Sequence, residues 1–282
     1  NILIGYKGAM IEKVLQWAKC EKPVRAIILT GSRSTNKHDE LSDYDLALFC
    51  TDIDSFTCDD AWLSKIGEVW VCIHEKIYIK KKEFSSRLVI FENGIKVDFS
   101  FYPIEVLTDA TILPFQRGCR VLLDKEGMIF SPPSLSKEFS EAAKPNLEQF
   151  SKIINEFWFE AYHVAVYLKR RDLWSAQYRL NGLHHQFLLK MIEWNELSKN
   201  NWKGFFPELG KKMQSWVCKD TWEALRQSFA RFDEKDSWKA LENTINLFRA
   251  LTYQTATQLG YNYLSEVDNH ISRFIDELKG KR

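Results

Sequence analysis

Two carboxylates two residues apart carry the plainest chemistry in this sequence: Asp43 and Asp45, in the run Ser42-Asp43-Tyr44-Asp45-Leu46-Ala47-Leu48-Phe49. Tyr44 to Phe49 has the apolar character of a buried strand. Strand side chains alternate faces, so the two acids point the same way, about 7 Å apart along the chain. Like charges held on one face repel unless a cation lies between them. Magnesium answers that need, because it takes oxygen ligands and is commonly held by one or two carboxylates plus substrate phosphates. The counterpart lies just upstream, in Leu29-Thr30-Gly31-Ser32-Arg33. Glycine lets backbone approach a phosphate closely, and successive N–H groups in such a turn form an anion-binding concavity. Ser32 adds a hydroxyl donor and Arg33 a charged one. The stretch therefore offers phosphate donors beside a metal-binding acid pair.

These groups need rigid elements to hold them. Arg25 to Leu29 is apolar and β-branched, which predicts a buried strand ended by Gly31-Ser32. Before it, residues 8–20 place Ile11, Val14, Leu15 and Ala18 at helical spacing, and Pro23 marks the break between helix and strand. The polar loop Ser34 to Leu41 carries His38, which reads as an exposed histidine. The acid-rich run Thr51 to Asp60 predicts a surface crossing leading into a short helix through Trp62 and Ile66. Its aspartates lack the spacing of a calcium loop, so capping and solvation account for them. Glu68 to His74 and Leu88 to Phe91 predict further strands. Glu92-Asn93-Gly94 predicts a hairpin turn, and Ile95 to Tyr102 the returning strand. On that strand Val97, Phe99 and Phe101 share one face, and Asp98, Ser100 and Tyr102 the other. A carboxylate in mid-strand is costly if buried and unpaired, so Asp98 belongs either to an exposed polar face or to a site. Pro103-Ile104-Glu105 can open a helix, and Arg120 to Asp124 predicts a last strand.

Ser131-Pro132-Pro133-Ser134 has linker composition and places a domain boundary there, giving residues 1–133 and 134–282. Beyond it the pattern becomes long-period helical. Helices are predicted over Leu147–Arg171, Asp172–Leu197, Gly210–Cys218, Thr221–Arg231, Ser237–Leu259 and Ser265–Leu278, which together read as a helical bundle. The pair His184-His185 faces two directions on its helix and makes a poor metal site.

A chain of 282 residues suits one large or two medium domains. Its net charge of +1 provides no general field for nucleic acid or an anionic membrane. The six cysteines, at 20, 50, 58, 72, 119 and 218, contain no Cys-x-x-Cys pair, so zinc is not expected and reduced thiols in a cytoplasmic protein are. No apolar run approaches the ~18 residues of a membrane span, and no signal peptide is visible.

Gly31-Ser32 followed by Asp43-Tyr44-Asp45 at a strand start resembles the signature of the DNA polymerase β-like nucleotidyltransferases. The finer spelling, Gly31-Ser32-Arg33 with Ser42-Asp43-Tyr44-Asp45, resembles the aminoglycoside 6-adenylyltransferases, or streptomycin adenylyltransferases. Leu122-Leu123-Asp124-Lys125, Asn155-Glu156-Phe157-Trp158, Arg170, Leu180-Asn181 and Met191-Ile192-x-Trp194 extend the likeness over most of the chain. It departs at Val166, where the family carries a lysine, and in a shorter loop between Arg33 and Asp43.

The resemblance implies an α+β fold: an N-terminal nucleotidyltransferase domain with a mixed β-sheet flanked by helices, then a C-terminal helical bundle. It implies transfer of AMP from ATP to a hydroxyl of a cationic aminoglycoside, with release of pyrophosphate and hence antibiotic resistance. Two Mg2+ ions would sit on Asp43, Asp45 and the third acid, Asp98, which would ligate one metal or take the proton from the acceptor. Gly31, Ser32 and Arg33 would hold the phosphates. A polycationic acceptor calls for acids and flat apolar surfaces, and Glu156 with Glu160 and Trp158 with Tyr162 lie at i, i+4 on one predicted helix. The same spacings also fit a solvated face and a core stripe. Nucleic acid and membranes are not expected partners, and the expected state is a monomer or weak homodimer. Competing readings keep the fold and change the acceptor to another small molecule or a protein, or keep nucleotide binding without turnover.

Overall fold

The computed structural model describes residues 2–35, 38–79, 81–108, 119–129, 142–204 and 206–280. The chain forms two compact units, Asn1–Lys137 and Glu138–Arg282. The Pro132-Pro133 segment read as a linker lies outside the described residues.

The first unit is built on a mixed six-stranded sheet in the order β3-β4-β5-β2-β1-β6. Helix α1 (Ile2–Cys20) leads into β1 (Val24–Thr30), and one helical turn, α2 (Gly31–Ser34), follows. β2 (Tyr44–Cys50) runs antiparallel to β1, with Thr30 opposite Asp45. A short helix, α3 (Asp54–Thr57), and a 3-10 turn, Ala61–Lys65, occupy the acid-rich crossing. β3 (Val69–Ile79) and β4 (Lys82–Phe91) form a hairpin at the sheet edge. β5 (Ile95–Pro103) returns antiparallel to β4 and lies parallel to β2, with Asp98 opposite Asp45. β6 (Arg120–Asp124) closes the other edge against β1.

The β4–β5 turn forms where sequence chemistry places it. Asn93 and Gly94 have φ of 64° and 70°, the left-handed pair that Asn-Gly supplies for a tight hairpin. β3 and β4 are longer than the patterning predicts, because the outer part of the hairpin is mostly exposed and charged, with only Ile77, Ile79 and Phe84 packing on the sheet face. The helix suggested after Pro103 is only a 3-10 turn, Ile104–Thr108.

The two faces of the sheet bury different sets. Ile27, Leu29, Leu46, Leu48, Val97, Phe99 and Phe101 pack with Val14 and Trp17 of α1 and with Phe56 and Trp62. Trp17 stacks on Trp62 with centroids 4.8 Å apart, and the Trp62 indole N–H donates to the Phe56 carbonyl at 3.1 Å. Ala26, Ile28, Ala47, Phe49, Phe84, Tyr102 and Val106 fill the opposite face. Asp45 and Asp98 share that second face, at its end nearest the Gly31 turn.

The second unit is helical. α4 (Leu147–Lys169) opens on a capping box: the Asn146 side chain accepts from the Gln149 N–H, and the Gln149 side chain accepts from the Asn146 N–H. The predicted single helix from Asp172 is α5 (Leu173–Gly182), a π-turn over Leu183–Leu188, and α6 (Leu189–Lys199). No helix spans Gly210–Cys218. Leu209, Gly210 and Lys212 take φ of 58°, 67° and 55°, which permits only 3-10 turns at Glu208–Gly210 and Met213–Ser215. α7 (Lys219–Arg226), α8 (Glu234–Leu259) and α9 (Ser265–Gly280) complete the unit. Its core runs through Phe157, Trp158, Leu188, Met191 and Phe248, and the rings of Phe157 and Phe248 stack at 3.6 Å. No helix among the described residues is long and apolar enough to cross a membrane.

Candidate active site

Strand register does most of the assembly. β2 and β5 run side by side in parallel, so Asp45 and Asp98 stand opposite one another on one face. Asp43 precedes β2 by one residue and shares the side of Asp45. Ligand oxygens of Asp43, Asp45 and Asp98 all lie within 4.8 Å of one another.

Gly31 makes room for the group. Its φ is +66°, and a Cβ built there would stand 1.9 Å from Asp45 Oδ2 and 2.8 Å from its Cγ. The Asp45 carboxylate therefore lies directly over the glycine, in space that any side chain would fill. The Thr30 hydroxyl donates to the Asp45 carbonyl at 3.3 Å, tying the end of β1 to the start of β2.

Arg33 is bonded to the backbone that leads into the acid-bearing strand. Its Nε donates to the carbonyls of Ser42 and Asp43 at 3.1 and 2.9 Å, and its Nη2 to Ser42 at 2.7 Å. The guanidinium lies over the Tyr44 ring, 4.3 Å from its centroid. These bonds fix the backbone that presents Asp43, so Arg33 positions an acid. Ser32 lies in the turn between them, half-buried.

Lys96 is the group that sequence reading missed. Its ammonium donates to Asp43 Oδ2 at 2.8 Å and to Asp98 Oδ2 at 2.6 Å, standing between two carboxylates. The signal was the Lys96-x-Asp98 spacing, which puts both side chains on one face of β5. Burial disfavours the charged form of Lys96, but its bonds to Asp43 and Asp98 outweigh that and raise its pKa above the usual value. Asp98 is more deeply set. Burial pushes its carboxyl above the ordinary range, Lys96 pulls it down, and the charges of Asp43 and Glu75 add to the rise. Burial wins for Asp98 because its oxygens have lost more water than the ammonium restores.

Three carboxylates converging in this way are a donor set for a hard divalent cation. Asp98 Oδ1 adds to the fit, being a buried oxygen with no hydrogen-bond partner among the described residues.

The residues expected to meet an acceptor fare unequally. Trp158 is fully buried in the bundle core, against Phe157 and with the Arg249 guanidinium 5.8 Å from its ring. It presents no flat surface, because its place on α4 belongs to the stripe with Ile154, Ala161 and Ala165. Glu160 accepts two bonds from Arg179 Nη1, at 2.9 and 2.6 Å. Tyr162 stacks on Phe274 of α9 at 5.1 Å. Glu156 is the more open of the two acids, its side chain 45% exposed with Lys152 at 3.8 Å. The two histidines divide as their helix dictates: His184 is buried and bonded to Thr244 Oγ1 at 2.9 Å, while His185 is exposed.

The sequence model of the streptomycin adenylyltransferase family matches residues 6–278. The chain belongs to that family. Its relatives include an aminoglycoside 6-adenylyltransferase of Campylobacter jejuni, 30% identical over 95% of this chain and 94% of that protein. Another of the same name, from Bacillus subtilis, is 27% identical over 95% of each chain. A crystal structure of an aminoglycoside 6-adenyltransferase from Bacillus subtilis overlays with a TM-score of 0.49 at 24% identity, covering 96% of this chain and 98% of that one. Membership in the streptomycin adenylyltransferase family makes this chain a nucleotidyltransferase-family protein, and the acid trio beside the Gly31 turn is its candidate active site.

Proposed function

We propose that the protein moves AMP from Mg-ATP to a hydroxyl of a streptomycin-like aminoglycoside, releasing pyrophosphate and conferring resistance. The convergence of Asp43, Asp45 and Asp98 beside the Gly31 turn, in a member of this family, carries the reading. The names of the relatives support the acceptor class.

Asp43, Asp45 and Asp98 would hold a pair of magnesium ions. Magnesium there would neutralise the triphosphate and stabilise the leaving pyrophosphate. The chain's own residues set the rest. Gly31 and Ser32 bring backbone and hydroxyl donors to the phosphates. Arg33 holds the Ser42–Asp43 backbone in place. Lys96 keeps two of the acids neutralised and must release Asp43 and Asp98 when they take a cation. Asp98 would either ligate one of the ions or accept the proton of the attacking hydroxyl.

In this reading residues 1–133 form the nucleotidyltransferase domain and residues 134–282 the acceptor-binding domain. Glu156, the most open acid of the expected set, reads the cationic acceptor. The protein works in the cytoplasm as a monomer or weak homodimer, with no nucleic acid or membrane partner.

Pyrophosphate release, measured with ATP and Mg2+ across an acceptor panel that includes streptomycin, tests the proposal. Acceptor-dependent release that falls by several orders of magnitude in Asp43→Asn and Asp45→Asn, with the fold retained, is expected. Release independent of every aminoglycoside, or Asn variants within tenfold of the parent, refutes it. Glu156→Gln should raise the acceptor KM and leave ATP binding unchanged.

A further inference from the structure

A second donor set lies on the opposite face of the same sheet. Cys72 and His74 are two residues apart on the edge strand β3, so their side chains share a face. Register places Cys72 opposite Val89 and His74 opposite Arg87, and Arg87 opposite Phe99. Val89 and Phe99 belong to the core under α1, whereas Asp98 points to the other side. Asp60 reaches the same spot from the turn before Ala61–Lys65. Its Oδ2 lies 2.6 Å from His74 Nε2 and 3.7 Å from Cys72 Sγ, and one ligand atom from each of the three lies within 4.8 Å of the others.

Arg87 explains how Asp60 is aimed. Its side chain is 4% exposed, and its Nε donates to Asp60 Oδ1 at 2.7 Å. The remaining guanidinium bonds go to the carbonyls of Ser86 and Thr57. An ion pair with Arg87 accounts for Oδ1 alone. It does not account for a thiol and an imidazole both converging on Oδ2. A carboxylate ligand oriented through its second oxygen by a fixed donor is the usual outer support of a metal site.

We propose that Asp60, Cys72 and His74 bind a thiophilic divalent cation of the zinc class. Zinc takes sulfur at about 2.3 Å and nitrogen or oxygen at about 2.0–2.2 Å, so tetrahedral ligands stand roughly 3.3–3.7 Å apart. The Asp60–Cys72 separation already matches. The His74 ring must retreat by about 0.7–1 Å, and its side chain, 59% exposed, has room to turn. The thiol proton passes to the buffer as sulfur coordinates, and a solvent molecule completes the fourth position. Sulfur and imidazole select this cation class against magnesium, which the all-oxygen trio on the other face suits. The spacing rule that led us to expect no zinc fails here because the donors come from one cysteine, a histidine two residues on and an aspartate twelve residues back. The bound cation pins the exposed strand β3 to the Asp60 turn.

Cobalt(II) is the probe. The full chain, stripped with chelator and kept reduced, is titrated with Co2+ in the presence of excess Mg2+. A near-ultraviolet sulfur-to-cobalt band saturating at one equivalent is expected, displaced by Zn2+ and absent in Cys72→Ser. His74→Gln, at an exposed position that leaves the fold alone, should weaken Co2+ binding at least tenfold. Asp60→Asn should do the same, but it also unpairs Arg87, so the His74 variant decides. No band, a band that survives in Cys72→Ser, or unchanged affinity in His74→Gln overturns the proposal. Loss of the band with aminoglycoside adenylylation intact upholds it separately from the function proposed above.

Discussion

Replacing Gly31 by alanine separates strain from site geometry. Two costs meet at this position. The first is conformational: φ of +66° is left-handed, and placing a Cβ there costs about 1–2 kcal/mol. The second is a collision. The new Cβ would stand 1.9 Å from Asp45 Oδ2, and ordinary contact begins at 3.4 Å, so the carboxylate must retreat by about 1.5 Å. A displacement of about 1 Å in a reacting constellation costs on the order of 100-fold in rate. Gly94→Ala is the internal control, because Gly94 has φ of +70° and nothing within 4 Å of where its methyl group would stand. Both variants should lose about 1–2 kcal/mol in urea unfolding for a left-handed alanine, with Gly31→Ala losing more because Asp45 must move as well. Only Gly31→Ala should lose about 100-fold or more in acceptor-dependent pyrophosphate release. Turnover of Gly31→Ala within threefold of the parent, or an equal loss in Gly94→Ala, would refute the reasoning.

Three further outcomes follow from the ion pairs and buried groups. Lys96→Met removes the ammonium between Asp43 and Asp98, so Mg2+ should raise the thermal midpoint of the variant more than that of the parent; equal Mg2+ responses would count against the role of Lys96. Asp268 is bonded by Arg249 at 2.6 and 2.7 Å and by the Tyr263 hydroxyl at 2.6 Å. Asp268→Asn should cost about 2–3 kcal/mol in urea unfolding, less than the ~3–5 of a fully buried pair because Arg249 is 37% exposed, and a loss under 0.5 kcal/mol would contradict this. Burial opposes ionisation of Asp268, but its bonds from Arg249, Tyr263 and Ser272 win and depress its pKa, so this stability is present above the ordinary aspartate range and is lost as pH falls through the lowered value. His184 behaves as a buried neutral base: burial, with help from the charge of His185, pushes its pKa down to about 4. Its folded value lies below the unfolded 6.5, so its contribution is complete above pH 6.5 and falls away towards pH 4, by up to about 3 kcal/mol. His184→Leu should flatten the pH dependence of the urea midpoint over that interval, and an unchanged slope would refute the assignment.

The acids of the candidate site were legible because strand alternation fixes facing directions. The period of two put Asp43 and Asp45 on one side, whereas Asp98 joined them only through the family resemblance, because the parallel pairing of β2 with β5 that brings it there is written in neither strand. Lys96 obeys the same rule of alternation, but a lysine two residues from an acid carries no sequence signal that separates a site from a solvated pair. The outer half of the β3–β4 hairpin was illegible, since its many charged, exposed residues mask the few that pack, Ile77, Ile79 and Phe84. Helical periodicity placed Trp158 on both a core stripe and a possible ligand face, and burial in the bundle resolved it towards the core. The stretch Gly210 to Cys218 reads as helical, but the left-handed φ of Gly210 and Lys212 breaks it into 3-10 turns. The Asp60–Cys72–His74 cluster is assembled across a turn and a strand edge, where short spacing rules have no reach.

The parallel pairing of β2 with β5 has a consequence for how the molecule is made. The other neighbour of β5 in the sheet, β4, is reached through a tight turn, but Lys96 meets Asp43 across 53 residues of chain. The entropy of closing that loop must be spent before the pairing returns anything, and such contacts form late. The hairpin β3–β4 and the turn into β5 can form on their own, whereas the mutual repulsion of three acids appears only at the closing step. Ordering of the carboxylate cluster and completion of the sheet are therefore one kinetic event. A refolding chain should gain its strand content before it gains a metal-responsive site, and magnesium in the refolding buffer should accelerate the last phase alone.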